Sequence, residues 1–180
     1  MFSLAQIASA VGCFILLVNL PAIFAPGKFL QTAKAFPRSK IPAWTLTALD
    51  LFWVAWIVLH ASLGRFEFVK PALYVAAPLA FLLIAVFMDE LLAPRALGGL
   101  LLLAANPVLA AARWHPSTWR LAMTVMAYAW VVVGIALVLS PYRFRQAVEW
   151  VNPTVERCRA WGMVRCLVGA AVLFLGLVVY

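Results

Sequence analysis

Long apolar runs separated by short polar stretches dominate the hydrophobic pattern of this sequence. Six runs are long enough to be transmembrane helices, because crossing the hydrocarbon core of a bilayer takes ~17–25 mostly apolar residues. In chain order they cover residues 2–24, 41–63, 71–88, 96–112, 121–139 and 162–180. The fourth run contains Asn106 and Pro107, and this helix break leaves two alternatives, a full span and a re-entrant segment. The pattern predicts an all-α polytopic membrane protein with one integral domain, 1–180.

Composition excludes the classes of protein that work in water. Hydrophobic residues make up 67% of the 180 positions and charged residues 11%, against ~45–50% and ~25% in soluble domains. The connections between runs are too short to hold an extramembrane domain. Nucleophile elbows, glycine-rich phosphate loops and paired metal-ligand motifs are absent from the sequence, so we expect no enzymatic activity and no cofactor or metal.

The formal charge of +8 lies mostly in the connections and predicts an orientation. Ten of the fourteen basic residues lie in or beside the first, third and fifth connections between the runs, and the other four lie in the second and fourth connections. Since short cytoplasmic loops are enriched in Lys and Arg, both termini are predicted to lie outside the cytoplasm. Basic residues at span edges favour contact with anionic lipid headgroups, and nucleic acid is not an expected partner.

A short motif recurs at the ends of spans on the predicted cytoplasmic side. Pro26 and Lys28 are followed by Phe and Gln in the same order as Pro141 and Arg143, and a fainter third copy holds Pro94 and Arg95. Proline ends a span at the interface, and the amphipathic stretch after it is typical of a helix lying in the headgroup plane. The sequence therefore predicts three parallel-repeat helical hairpins with short interfacial helices, at about 2–63, 71–112 and 121–180.

The last third of the chain, residues 128–180, resembles the YjeT-like small bacterial inner-membrane proteins, which are two-span hairpins. The matching features are Gly134, the run Ser140-Pro141-Tyr142-Arg143-Phe144, the stretch from Arg159 to Gly162, Gly169 and Gly176. The resemblance implies a hairpin architecture and a bacterial inner (cytoplasmic) membrane, and it supplies no catalytic residues.

Asp50 is the most costly residue in the predicted spans. At ~1.5 Å per residue it lies roughly 13 Å into the bilayer, where an acid costs on the order of 2.5–3.5 kcal/mol. Thr47 is one helical turn away, and Arg165, the deepest basic residue, is the expected partner. Two interpretations stay open: a buried ionic pair or protonated carboxyl that stabilises the bundle, and a proton or cation site.

For the remaining polar and small residues, the sequence favours structural roles over chemical ones. His60 and His115 near one interface are weak candidates for haem ligands, and Asp89-Glu90 is a weak candidate for acid–base chemistry. Cys13, Cys158 and Cys166 are predicted to be packing residues. Small residues recur on two spans, at Gly162, Gly169 and Gly176 and at Ala5, Ala8 and Gly12, and predict close helix packing.

These features leave two functions. The favoured one is a non-enzymatic scaffold or accessory subunit that acts through helix packing with a membrane-protein partner or as a homo-oligomer. The alternative is a small transporter or channel for a proton, cation or small solute, with Asp50 and the Asn106-Pro107 break as its site.

Overall fold

A computed structural model describes residues 3–88 and 91–180, apart from the side chain of Phe66, and these residues are helical with no strand. The eight helices, in chain order, are α1 (Leu4–Phe24), α2 (Pro26–Ala35), α3 (Lys40–His60), α4 (Lys70–Phe87), α5 (Leu92–Arg113), α6 (Arg120–Leu139), α7 (Tyr142–Val151) and α8 (Val155–Phe174). Short 3₁₀ helices of three residues at Phe36–Arg38 and of six residues at Gly64–Val69 precede α3 and α4. A π-helical turn, Leu175–Val179, extends α8.

Six of these helices, all except α2 and α7, are long and apolar enough to cross a membrane. Each falls on one of the six predicted runs, so the prediction of an all-α multi-pass membrane protein is confirmed. The main difference in bounds is at α8, which begins at Val155 because the Thr154 side chain accepts a hydrogen bond from the Arg157 amide and caps it. The predicted start of the first run, Phe2, lies outside the described residues.

The predicted break at Asn106 and Pro107 is wrong, because α5 runs through both residues as one helix of 22 residues. At ~1.5 Å per residue it is about 33 Å long, enough to span the hydrocarbon core. Pro107 deprives one carbonyl of its amide partner. Packing on either side of it, at the buried Ala105 and Val108, keeps the helix continuous. The re-entrant alternative is therefore wrong as well.

Two long helix pairs form the centre of the bundle, α1 with α8 and α5 with α6. Helix α3 packs against α5, which also contacts α1, so α5 links both halves of the bundle. Helix α4 is peripheral: it packs against α3 and the turn before it, and none of its residues is buried. Each of the other five spans buries at least two residues.

The three predicted glycines Gly162, Gly169 and Gly176 pack on α1, although only Gly176 meets the small face predicted there, at Ala5. Gly162 lies against Ala22 and Gly169 against Ile15, so that a Cβ added at either glycine would come within 2.9 Å of its neighbour. The α5–α6 pair is also close at Gly98 and Gly134, where an added Cβ would lie 2.8 Å from the other residue's carbonyl oxygen. Such contact replaces the hydrophobic driving force that lipid removes.

The proline motif has the predicted consequence at two of its three copies. Helix α2 begins at Pro26, α7 begins directly after Pro141, and the two helices contact each other at one end of the bundle. The rings of Phe36 and Phe144 lie 5.1 Å apart at this contact. Pro94 differs from the prediction of a third interfacial helix: it is buried in the first turn of α5, a position that tolerates proline, and the helix continues directly into the span.

Candidate functional site

Helix α3 presents Thr47 and Asp50 toward α5. The two residues are three positions apart and therefore lie on one face of the helix, which also carries the buried Ala43. The Thr47 hydroxyl donates a 2.8 Å hydrogen bond to the Ala43 carbonyl of its own helix. Thr47 therefore satisfies its polar group locally, and its hydrogen bond is not to Asp50.

Asp50 lies against Gly99 of α5. A Cβ on Gly99 would be 2.8 Å from Oδ2 of the carboxyl, so the absence of a side chain at Gly99 makes room for the acid. The other oxygen, Oδ1, is enclosed and has no hydrogen-bond partner among the residues that the structure describes. Gly99 is a site residue that the sequence analysis missed. The signal was present as the glycine pair Gly98-Gly99 inside an apolar run.

Depth makes this unpartnered oxygen costly. Asp50 is near the middle of α3, about 15 Å from either end of the helix at ~1.5 Å per residue. An ionised carboxylate without a partner is strongly disfavoured in such a place. The site therefore favours two states, a neutral acid and a carboxylate accompanied by a bound cation.

The expected partner, Arg165, is not brought to this site. No ion pair joins Asp50 to Arg165 in the described part of the chain, whereas Lys70 pairs with Glu67 and Arg145 with Glu149. Arg165 lies on α8, two turns beyond the buried Cys158, and α8 packs along α1. The two residues were predicted to lie at similar depths in their spans, but depth does not determine which spans are neighbours.

Asn106 and Asp50 are related through α5. Gly99, which contacts Asp50, and Asn106 are seven residues apart, two helical turns, and so share one face of α5. Asn106 is exposed, so this face of α5 is uncovered at its level. Asp50 thus contacts the face of α5 that carries Asn106 two turns further on, although the helix break expected at Asn106 is absent.

The interfacial motif places its basic side chains outward and its apolar ones inward. Lys28 and Arg143 are exposed at the end of the bundle that α2 and α7 cover. Leu30 of α2 and the partly buried Val148 of α7 pack with Cys158 in one apolar cluster. The two short helices are therefore held by the bundle itself, and their basic residues are exposed at that end of the bundle.

Each of the two histidines makes its own local contacts. Nδ1 of His60 is 2.8 Å from the Trp56 carbonyl oxygen, and its ring stacks on Trp56 with centroids 4.2 Å apart. His115 accepts a hydrogen bond from the Ser117 amide. Among the described residues no group of three or more His, Cys, Asp or Glu side chains is placed to hold a metal ion. Asp89 and Glu90, the weak acid–base candidates, lie outside the described residues.

Comparison with known proteins does not assign a function to this site. No family model, no curated protein and no solved structure matches the chain. The resemblance of residues 128–180 to the YjeT-like inner-membrane proteins stays a prediction, and the functional argument is based on the fold and the placement of individual residues.

Proposed function

We propose that this protein is a non-enzymatic scaffold or accessory subunit of a bacterial inner membrane, with both termini outside the cytoplasm. It acts by packing an apolar transmembrane helix of another membrane protein, or of a second copy, against α4. Its short interfacial helices contact anionic headgroups through Lys28, Arg143 and their basic neighbours.

The observation that carries this proposal is the position of α4. It is the one span without a buried residue among those described. Its main contacts are with α3 and the short helix before it, and Ile84 also packs on a cluster that includes Leu92 and Ala93. Lipid supplies no hydrophobic drive between helices, so a span gains stability only from close packing, hydrogen bonds and lipid entropy. A peripheral span with so little contact gains most from packing against another protein.

The outer face of α4 has a pattern suited to such packing. Val75, Leu79, Leu82 and Val86 follow each other at spacings of four, three and four residues and are each between 52% and 71% exposed. This spacing keeps the side chains on one face along the length of the helix. It is the repeat that allows left-handed packing against a second helix.

A pull-down from native membranes tests the scaffold. The tagged wild-type protein should co-purify with a defined membrane protein, or with an untagged copy of itself, after mild solubilisation. Leu79→Trp and Leu82→Trp enlarge the outer face of α4 and should abolish the capture. Val132→Trp makes the same change on an exposed face of α6 and serves as the matched control. Equal capture by all three variants would show that α4 is not the docking face.

The proposal includes an internal repeat. Residues 2–63 and 121–180 each contain a span, a proline, a short helix and a second span, and α2 and α7 lie at the same end of the bundle. Parallel repeats require this common end. The middle segment, 71–112, is the divergent copy, because Pro94 is inside α5.

A second candidate function is transport of a proton, a cation or a small solute. It is favoured by the enclosed, unpartnered Oδ1 of Asp50 and by the shared α5 face of Gly99 and Asn106. In proteoliposomes with an internal pH indicator, the wild type would then dissipate a pH gradient and Asp50→Asn would not. Glu149→Gln, outside the spans, is the matched control. Equal dissipation by wild type and Asp50→Asn would exclude Asp50 as the transport site.

A further inference from the structure

A slot separates α3 from α4 over the half of the bundle nearest their connection. It is a cavity of about 360 Å³ lined only by apolar and aromatic residues, among them Ala48, Ala55 and Trp56 of α3 and Tyr74, Ala77 and Phe81 of α4. A second cavity continues it to the end of both helices, sharing Trp56 and Tyr74 and adding His60 and Lys70. The two cavities are adjacent along the helix pair, and the exposed Trp56 and Tyr74 rings line both of them.

The dimensions of the slot match one leaflet of a bilayer. From Ala48 to His60 it follows α3 for about 18 Å at ~1.5 Å per residue, slightly more than half of a hydrocarbon core that is ~30 Å thick. Its inner part has the volume of ordinary ligand pockets, ~300–1,000 Å³. A transmembrane helix with side chains is ~10–12 Å wide and is too large for it. An extended hydrocarbon chain fits both limits.

The mouth of the slot is polar and carries an excess of positive charge. Lys70 lines it and forms a 2.8 Å ion pair with Glu67, while Arg65 is exposed in the same connection. The connection thus carries two basic residues and one acid, and the His60 ring adds a hydrogen-bonding group to the wall of the slot. Such a mouth complements a phosphate at headgroup depth.

We propose that this slot is a binding site for an anionic phospholipid, with one acyl chain between α3 and α4 and the phosphate beside Lys70 and His60. The site is independent of the proposed docking face, since Leu79 and Leu82 project from the opposite side of α4. It also explains how α4 stays on the bundle with few contacts to α3: the lipid chain supplies the missing packing surface.

Native mass spectrometry of delipidated protein with added lipid tests the site. The probes are dioleoylphosphatidylglycerol, which is anionic, and dioleoylphosphatidylcholine, which is not. The wild type should retain one phosphatidylglycerol in preference to phosphatidylcholine. Lys70→Gln should lower that preference by about fivefold, the factor that corresponds to one basic residue near an anionic surface. Glu67→Gln, which releases Lys70 from its ion pair, should raise it.

Filling the slot should remove the bound lipid. Ala55→Phe and Ala77→Phe place a ring inside the cavity, while Ala129→Phe adds the same ring on an exposed face of α6 and is the control. The proposal would be overturned if the slot variants retained phosphatidylglycerol as strongly as the Ala129→Phe control. It would also be overturned if the wild type retained the two lipids equally.

A measurement on a conservative variant keeps the test valid if the slot variants fail to fold. A phosphatidylglycerol with brominated chains, added as a minor component to phosphatidylcholine nanodiscs, should quench tryptophan fluorescence in the wild type. Trp56→Phe should lose most of that quenching. Trp161→Phe, near the start of α8 and at the end of the bundle away from the slot, should lose little of it. Quenching that is unchanged in Trp56→Phe would place the lipid elsewhere and refute the site.

Discussion

Replacing Gly12 with alanine should destabilise the bundle through the α1–α8 contact. Gly12 is buried on α1, and an added Cβ would lie 2.5 Å from the backbone nitrogen of Leu173, 2.7 Å from its Cα and 2.8 Å from its Cβ. Carbon atoms in contact are normally ~3.5–4.0 Å apart. The obstructing atoms belong mainly to the backbone of α8, so relief requires the two helices to separate by about 1 Å.

Two effects of opposite sign set the magnitude. Overpacking a tight interface costs ~1–3 kcal/mol, and a backbone obstruction puts Gly12→Ala at the upper end of that range. Alanine is a better helix former than glycine by about 1 kcal/mol. The difference between these two effects predicts that the free energy of unfolding falls by about 2 kcal/mol. Separating the helices also loosens the close contacts at Gly169 and Gly162 along the same interface.

Gly27 offers a matched control, because it lies in α2 and an added Cβ there would meet nothing within 4 Å. Gly27→Ala should gain up to ~1 kcal/mol from helix propensity alone. Reversible unfolding of both variants in mixed micelles, followed by circular dichroism, measures the difference. If Gly12→Ala proved as stable as Gly27→Ala, the close packing of α1 on α8 would be refuted.

Three further predictions concern the acid site and the topology. Gly99→Ala should displace the Asp50 carboxyl and lower stability by at most ~1 kcal/mol, since the obstructing atom ends a side chain; combining it with Asp50→Ala should remove the loss, and a loss that persists would argue against their contact. The destabilisations of Asp50→Leu and Arg165→Leu should add within ~0.5 kcal/mol in the double variant, and a rescue would reveal an ion pair between them. Single cysteines replacing Lys34 and Arg145 in a cysteine-free background should resist an impermeant thiol reagent in intact cells, and ready labelling of either would reverse the predicted orientation.

The sequence by itself determined the elements of this protein. Each span must satisfy its backbone hydrogen bonds within itself when it lies in hydrocarbon, so an apolar run of sufficient length becomes a helix whatever surrounds it. The same local logic predicts short amphipathic helices after Pro26 and Pro141, where proline stops one helix and can begin another. It failed at Pro107 because packing on both sides holds α5 together across a residue that weakens an isolated helix.

Only the tertiary structure decided which helices are neighbours. Lipid provides no hydrophobic preference between spans, so pairing depends on how two surfaces from distant parts of the chain fit each other. Depth along the sequence suggested Arg165 as the neighbour of Asp50, whereas Gly99 faces it because α3 packs on α5 and α8 on α1. The slot between α3 and α4 has the same origin: each helix is apolar over its length, and the space between them is set by where their large side chains meet.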